Sequence, residues 1–363
     1  MRETLKFIAW PAIAGVLAAL LILDRWVLPA ETGQDHSHGA TASYSSAVNR
    51  AAPAVVNIYT AKLVSTNTVP LFPERFRRLP RQRIERSLGS GVIMSKEGHI
   101  LTNLHVIAGA DAIQVLLHDG RTANAVVIGS DSATDLAVLK IDLPDLIPAK
   151  LADSDKLRVG DVVLAIGNPL GFGHSVTQGI VSGLGRWGLQ LNTYEDYIQT
   201  DAMIHQGNSG GALVDAEGRL VGINTLIYTS NTQAGSGTGI GISLAIPSNL
   251  AVYVMQDLID YGEVIRGWLG VSVEPVQVPG SNQQQALLVI GVAESSPAER
   301  AGLQVGDVIT QIDGKLVVDG RQTMHKIARL RPGESVGISV QRDQQSLELR
   351  AVVGAQGQQS PAG

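Results

Sequence analysis

Short apolar runs alternate with polar turn residues over most of the chain from Ala52 onward. Frequent short runs of this kind, with few long helical periods between them, are typical of a β-barrel or β-sandwich. The clearest runs span residues 55–59, 91–94, 113–117 and 161–166, and the clearest turns are Lys96-Glu97-Gly98, His118-Asp119-Gly120 and Ala216-Glu217-Gly218. The pattern therefore predicts a mainly β protein.

Residues 69–88 interrupt the strand pattern with three prolines and six arginines. A long surface loop is the interpretation that fits this composition. Glu74 and Glu85 break the positive charge and aromatic residues are few, so a solvated loop is favoured over a nucleic-acid site.

The hydrophobic period changes to that of a helix after Ser248. Apolar residues 250, 254, 255, 258 and 259 fall on one helical face, Ser248 is predicted as the N-cap, and Gly262 as the stop. The pattern divides the chain into a domain over residues 44–247, a linker helix over 248–262, a second domain over 263–353 and a disordered tail over 354–363.

The N-terminal residues 7–23 form an apolar run with a single proline, preceded by Arg2 and Lys6. Its length of roughly 25 Å as a helix is the short limit for a membrane span. A cleaved signal peptide is the alternative, but no small-x-small cleavage site directly follows, so we favour an uncleaved anchor within residues 1–28. The positive flank predicts that the rest of the chain lies across the membrane.

Residues 31–47 are small and polar, and residues 29–43 are predicted to be a flexible linker. Asp35, His36 and His38 lie in this stretch, but a solvated linker is favoured over a metal site because a site needs more ligands in a fixed geometry.

Composition narrows the function classes. The chain has 363 residues, a net charge of −5 and no cysteine. The charge offers no global attraction to nucleic acid, and the missing thiols exclude disulfides, thiolate metal sites and a cysteine nucleophile. We predict no metal and no cofactor.

The strongest chemical signal is Gly207-Asn208-Ser209-Gly210-Gly211. It satisfies G-x-S-x-G, but an α/β-hydrolase elbow needs a helix after the serine, and here the pattern indicates a hairpin. That fold also needs its histidine after the serine, where only the distant His325 is found.

The reverse order of residues fits a different catalytic arrangement. His105 follows one predicted strand and Asp135 begins another, which gives the order His, Asp, Ser of chymotrypsin-type proteases. His105 would accept the proton of Ser209, and Asp135 would orient the imidazole. Asp131 is the alternative acid, and His205 is interpreted as a loop residue outside the triad. The backbone N–H groups of Gly207 and Ser209 are predicted to form the oxyanion hole.

The sequence closely resembles the HtrA (Deg) family of serine proteases over residues 43–353. The matching segments are Gly89-Ser90-Gly91-Val92-Ile93, Thr102-Asn103-Leu104-His105-Val106, Asp135-Leu136-Ala137-Val138-Leu139-Lys140, Ala165-Ile166-Gly167-Asn168-Pro169, Gln199-Thr200-Asp201-Ala202 and Gly207-Asn208-Ser209-Gly210-Gly211. The resemblance implies a chymotrypsin-like double β-barrel protease followed by one PDZ domain. A single PDZ domain behind a membrane anchor resembles the DegS-type branch.

The resemblance also implies a homotrimer on the periplasmic side of a bacterial inner membrane. Such enzymes make the first cut in a membrane-bound anti-sigma factor when their PDZ domain binds C-termini of misfolded outer-membrane proteins. Arg186 matches the sensor-loop arginine of the family. The implied peptide-binding residues are Trp268, Leu269, Gly270 and Val271 in the carboxylate loop and Met324, Ile327 and Ala328 on the pocket helix.

One departure from the family pattern concerns the residues before the serine motif, where His205-Gln206 replaces Asn-Pro. Without the proline, the Gln206–Gly207 peptide is free to rotate, which predicts a resting state with an intact triad and a collapsed oxyanion hole. Peptide binding to the PDZ domain would shift this equilibrium.

Residues 202–204 place no acid opposite a basic side chain, so the sequence predicts a small or aliphatic residue before the cleaved bond. Two other functions remain open from the sequence: a general periplasmic quality-control protease or chaperone, and a catalytically silent PDZ scaffold.

Overall fold

A computed structural model of the chain shows two units, residues 1–44 and 45–363. It describes residues 15–16, 43–66, 81–168, 173–187, 189, 191–205, 207–228, 242–277, 285–317, 320–343 and 345–355. The predicted anchor over 7–23 lies outside the described residues except for 15–16, which are helical. None of the helices in the described ranges is both long and apolar enough to span a bilayer.

The first half of the protease domain is a seven-stranded antiparallel sheet with the strand order β5-β4-β1-β2-β3-β7-β6. Its apolar side chains, among them Ile58, Ile93 and Leu139, form one buried cluster. The elements are α1 (Ser45–Ala51), a 3₁₀ turn (Ala52–Ala54), β1 (Val55–Thr66), β2 (Arg81–Ile93), β3 (His99–Asn103), α2 (Leu104–Ile107), β4 (Ala112–Leu116), β5 (Thr122–Asn124), β6 (Val126–Asp131) and β7 (Leu136–Lys140).

Helix α1 begins at Ser45, after the linker predicted over 29–43, and its Ala47 is fully buried. One sequence expectation needs correction in this half. The loop predicted over 69–88 includes eight strand residues, since Arg81–Leu88 pair with β1. Backbone pairing with a long neighbouring strand outweighs the arginine-rich composition of this segment. Residues 67–80 of the predicted loop lie outside the described residues.

The second half of the protease domain closes into a six-stranded barrel with the order β10-β13-β12-β11-β8-β9. Buried aliphatic residues such as Val163, Ile198 and Leu213 fill it. The elements are a 3₁₀ turn (Ser154–Lys156), β8 (Val162–Gly167), β9 (Ser175–Arg186), β10 (Tyr197–Thr200), β11 (Ala212–Asp215), β12 (Leu220–Tyr228) and β13 (Ile242–Pro247). Closure of the barrel gives every strand a hydrogen-bonded neighbour on both sides. The motif over residues 207–211 lies just before β11.

Helix α3 runs from Ser248 to Tyr261 and follows the barrel directly. Its N-cap is Pro247, so the predicted N-cap Ser248 is wrong by one residue. The Ser248 hydroxyl instead donates a hydrogen bond to the carbonyl oxygen of Ala152. At the other end Gly262 adopts the left-handed conformation, as expected for a helix stop.

The C-terminal domain is an antiparallel sheet with the path β15-β16-β17-β19-β20, beside a short β14-β21 pair. Leu287, Ile309 and Ile338 lie in its buried core. The elements are β14 (Gly267–Trp268), β15 (Val271–Gln277), β16 (Gln285–Val292), α4 (Pro297–Arg300), β17 (Val308–Ile312), β18 (Lys315–Leu316), α5 (Gly320–Ala328), β19 (Ser335–Arg342), β20 (Gln345–Val352) and β21 (Gly354–Ala355). The tail predicted to be disordered from 354 therefore begins with two strand residues.

Ion pairs join the C-terminal domain to helix α3 and to the domain that precedes it. Arg331 donates from both terminal nitrogens to Asp257 of α3, whose side chain is fully buried. Arg266, just after α3, pairs with Asp131 at the end of β6. Both carboxylates are withdrawn from water, so removal of either arginine would leave an unpaired buried charge.

Candidate active site

His105 and Asp135 meet because strands β3 and β7 are paired. The register places Asn103 opposite Leu136, so the residues that follow β3 lie beside those that precede β7. The Nδ1 atom of His105 lies 2.6 Å from Oδ2 of Asp135. The backbone N–H of His105 donates to Oδ1 of the same carboxylate at 2.9 Å. The carboxylate is thus placed to fix the ring orientation and to stabilise a positive charge on it.

Asp135 is held in an unusual backbone conformation. Its φ of 58° lies in the left-handed region that non-glycine residues rarely adopt. Its carbonyl oxygen accepts hydrogen bonds from the N–H of Leu104 and from the Asn103 side chain. Thr225 adds a hydroxyl bond of 3.3 Å to the carboxylate. Surrounding contacts that hold a costly conformation at this point are typical of functional sites.

Asp131, the alternative acid from the sequence, binds partners other than His105. Its carboxylate accepts hydrogen bonds from Arg266 and from the hydroxyl of Thr134. The geometry therefore assigns the histidine partner to Asp135 and gives Asp131 a contact with the C-terminal domain.

The Ser209 hydroxyl is hydrogen-bonded to a main-chain carbonyl oxygen and not to the histidine. It donates to the carbonyl oxygen of Thr225 at 2.5 Å. Within the described residues no hydrogen bond joins it to His105. This differs from the expected resting state with an intact triad: the histidine–aspartate half is assembled, and the serine proton is committed to a main-chain carbonyl.

The serine loop is anchored by a residue from the other half of the domain. The Ser90 hydroxyl of β2 donates to the Gly207 carbonyl oxygen at 2.7 Å. The Ser90 N–H donates to the Ser209 carbonyl oxygen at 2.9 Å. Gly210 fits beside it at a φ of 81°, where an added Cβ would lie 2.1 Å from the Ser90 oxygen. The loop conformation therefore requires glycine at this position.

The predicted oxyanion-hole region is described in part. Gly207 has a φ of 99°, open to glycine alone. Gln206, on which the predicted peptide rotation depends, lies outside the described residues. His205 is exposed, and its carbonyl oxygen accepts a hydrogen bond from the N–H of Asn208.

Arg186 lies at the end of β9. Its Nε donates to the side-chain oxygen of Gln199 on the neighbouring strand β10 at 2.7 Å. The predicted sensor residue is thus tied to its own barrel in this structure.

The predicted carboxylate loop connects β14 with β15. Gly270 has a φ of 78°, and an added Cβ would meet Ser296 at 2.4 Å. The carbonyl oxygens of Leu269 and Gly270 accept hydrogen bonds from Ala298 and Ala293. Their N–H groups donate to nothing in the described part of the chain. A loop with its carbonyls engaged and its N–H groups open is suited to a carboxylate.

The three predicted pocket residues on α5 have different surroundings. Met324 is partly buried against the core of the C-terminal domain, and Ile327 belongs to that core. Ala328 lines a small cavity between the two domains, beside Tyr253 and Arg266.

Sequence reasoning missed two residues of the site, Ser90 and Thr225. Ser90 lies in one of the segments that resemble the family, but nothing in the sequence indicated that it holds the serine loop. Thr225 carries no motif at all, and only the pairing of β11 with β12 brings it to the site.

Comparison with known proteins identifies both domains. Residues 89–223 match the family model of the trypsin-like peptidase domain, and residues 267–353 match that of the PDZ domain. Together with the geometry above, these matches define a trypsin-like serine endopeptidase that carries one PDZ domain.

The relatives make this class more specific. The serine endoprotease DegS of Escherichia coli strain K12 is 41% identical over 360 residues, covering 96% of this chain and 97% of the relative. A probable periplasmic serine endoprotease, DegP-like, of Pseudomonas fulva is 41% identical over 348 residues, covering 88% and 71%. The solved structure of the HtrA-type protease AlgW with decapeptide is 52% identical, with a TM-score of 0.69 and coverage of 86% and 99%. The chain belongs to the HtrA family of serine endoproteases.

Proposed function

We propose that the protein is a peptide-activated endopeptidase of the envelope stress response. Its PDZ domain binds the C-termini of misfolded outer-membrane proteins, and its protease domain then makes the first cut in a membrane-bound anti-sigma factor. The proposal extends to a homotrimer tethered to the inner membrane by residues 1–28, with both domains in the periplasm.

The similarity to DegS and AlgW supports this role. The chain is 41% identical to DegS and 52% identical to AlgW. Structures of the relative AlgW are described with a decapeptide and with a tripeptide, which supports peptide binding in this chain as well.

The catalytic role of each residue follows from its chemistry. Ser209 attacks the scissile carbonyl carbon after its proton passes to His105, and Asp135 stabilises the imidazolium that forms. The same proton then goes to the leaving amine. The N–H groups of Gly207 and Ser209 stabilise the oxyanion, a contribution of about 3–4 kcal/mol per donor.

The observation that carries the regulatory part is the hydrogen bond from Ser209 to the Thr225 carbonyl oxygen. In that rotamer the hydroxyl is unavailable to His105, although His105 and Asp135 are already paired. Activation then requires the Ser209 side chain to turn towards His105, whereas the pair of His105 and Asp135 can stay as it is. A peptide on the PDZ domain would favour the turned state by binding it more tightly.

We place Arg186 on the route from the PDZ domain to the serine loop. Its bond to Gln199 is made on strand β10, which precedes that loop in the chain. Exchange of this internal partner for a contact with the peptide-bound PDZ domain would move the start of the loop.

Residues 202–204 contain no acidic side chain that could bind a basic substrate residue. Their composition supports a small or aliphatic residue immediately before the cleaved peptide bond.

The decisive experiment measures cleavage of a candidate anti-sigma periplasmic domain by the full chain, with and without a C-terminal porin peptide. We expect cleavage at one site only when the peptide is present, and none with Ser209→Ala. Peptide-independent cleavage, or digestion of many unfolded proteins, would contradict the proposal and support the general quality-control function.

Labelling with a fluorophosphonate probe examines the proposed rotation of Ser209. The probe reacts with an activated serine, so labelling should rise when the peptide is added. Equal labelling with and without peptide would show that Ser209 is not held back in the resting enzyme.

A further inference from the structure

A pair of histidines lies away from the active site, where the two halves of the protease domain meet. His118 is in the turn between β4 and β5 of the seven-stranded sheet, and His174 directly precedes β9 of the closed barrel. Their Nδ1 atoms are 3.1 Å apart. Neither the proposed catalytic mechanism nor the peptide signal uses either residue.

We propose that His118 and His174 form a binding site for a divalent transition-metal ion of the Zn²⁺, Ni²⁺ or Cu²⁺ class. Imidazole nitrogen is a preferred ligand of these ions. Two nitrogens bound to one tetrahedral ion at about 2.0–2.1 Å lie roughly 3.3–3.4 Å from each other. The observed separation is therefore close to that of a two-histidine chelate.

The contacts of His174 prepare its ring for a metal. Its Nε2 atom lies 2.8 Å from the Val55 carbonyl oxygen, which accepts a hydrogen bond from Nε2–H and so leaves the lone pair on Nδ1. Metal-binding histidines regularly have their second nitrogen fixed by such an acceptor.

His118 supplies the second ligand from an exposed position. In the metal-free pair its Nδ1–H donates to His174, and binding requires its proton to sit on Nε2 instead. This change of tautomer needs only exchange with water and alters no net charge. Its neighbour Asp119 does not join the site, because Arg121 already binds that carboxylate.

The number of protein ligands determines how tightly the site should bind a metal ion. Within the described ranges no cluster of three or more histidine, aspartate or glutamate residues forms a metal site. Water would complete the coordination, so the affinity should lie well below that of a structural zinc site with four protein ligands. Bound metal would clamp the β4–β5 turn to the segment before β9 and stabilise the folded protease domain.

The test is calorimetric titration of the full chain, in non-ionic detergent, with ZnCl₂. We expect one ion per chain and, at about 100-fold excess over the dissociation constant, a melting temperature higher by about 5 °C or more. His118→Gln and His174→Gln should each weaken binding by more than about tenfold, because even loss of an outer partner costs about 10- to 100-fold.

Two control variants exclude other histidines as the source of the signal. His205→Gln removes an exposed histidine near the serine loop, and His36→Gln combined with His38→Gln removes the pair in the predicted linker. Both should bind Zn²⁺ as the unmodified chain does. The proposal is overturned if the chain binds no ion at millimolar ZnCl₂, or if the variants of His118 and His174 bind as tightly as the controls.

Discussion

The two halves of the active site differ in how they are held. His105 and Asp135 are joined by two hydrogen bonds and supported by three more to the aspartate. Ser209 is anchored through its backbone, but its hydroxyl points to the Thr225 carbonyl oxygen. Under the proposed peptide activation, the general base is already in place and the serine side chain is the part that has to turn.

The largest expected effect comes from a substitution in the pair of His105 and Asp135, the part of the active site that is already assembled. Asp135→Asn should lower kcat/KM of the peptide-activated enzyme by about 10⁴-fold, because the amide no longer selects the right imidazole tautomer or stabilises its charge. Initial rates on the anti-sigma domain measure this loss. The matched control is Asp131→Asn, four residues away.

Asp131→Asn should reduce activity far less than Asp135→Asn and should lower stability by about 3 kcal/mol, since it breaks the buried pair with Arg266. Equal losses of activity in the two variants would contradict the assignment of Asp135 as the partner of His105.

Gly210→Ala tests whether close packing of the serine loop against Ser90 holds Ser209 in position. The new Cβ would collide with the Ser90 carbonyl oxygen at a positive φ, so the Ser209 backbone must shift. A displacement of about 1 Å should cost about 100-fold in peptide-activated rate. Gly160→Ala is the control, because Gly160 also has a positive φ of 98° but open space around it. A similar rate for both variants would show that the close packing is unimportant.

Asp307 is a buried carboxylate of the PDZ domain that lies outside the active site, so its effect on stability can be measured separately from catalysis. Burial raises the pKa of Asp307 in the PDZ domain, but hydrogen bonds from Arg342 and the Gln304 N–H outweigh it and hold the pKa below 3.8. Because the folded-state pKa is the lower one, Asp307 stabilises the fold above the unfolded-state pKa. This contribution is lost as the pH falls through the folded-state pKa.

Arg342→Ala should destabilise the PDZ domain at neutral pH, because it leaves the Asp307 charge buried and unpaired. It should also weaken the acid sensitivity of unfolding below about pH 4. Calorimetry across that pH range measures both effects. Arg219→Ala, which breaks a half-exposed pair in the protease domain, should lower stability much less than Arg342→Ala, because water screens an exposed ion pair.

The smallest expected effect concerns the proposed communication between the PDZ domain and the active site through Arg186. Arg186→Ala should reduce the ratio of peptide-stimulated to unstimulated cleavage by about tenfold, a value within the usual range of coupling between sites. Peptide binding to the PDZ domain, measured by fluorescence anisotropy, should persist. If the stimulation ratio is unchanged, Arg186 is a structural partner of Gln199 and nothing more.

Much of this arrangement was predictable from the sequence because it depends on local pattern. The strand-rich character, the helix from Ser248 and the meeting of His105 with Asp135 follow from hydrophobic runs and from residues at strand ends. The family itself was predicted from the motifs, and the comparisons confirm it.

The remaining features depend on contacts between distant segments. Arg81–Leu88 form a strand only because β1 lies beside them. The direction of the Ser209 hydroxyl depends on a carbonyl oxygen sixteen residues further along the chain. The tie between Ser90 and the serine loop spans 117 residues. None of these contacts leaves a periodic or compositional signal that a sequence pattern could show.

The tie from Ser90 to the serine loop has a consequence for the timing of activity during biosynthesis. The loop acquires its shape from an atom that is made more than a hundred residues earlier and that belongs to the opposite half of the domain. A nascent chain that has completed only one half holds no working nucleophile. The serine loop can therefore take its observed shape only after both halves of the domain have been made and have met.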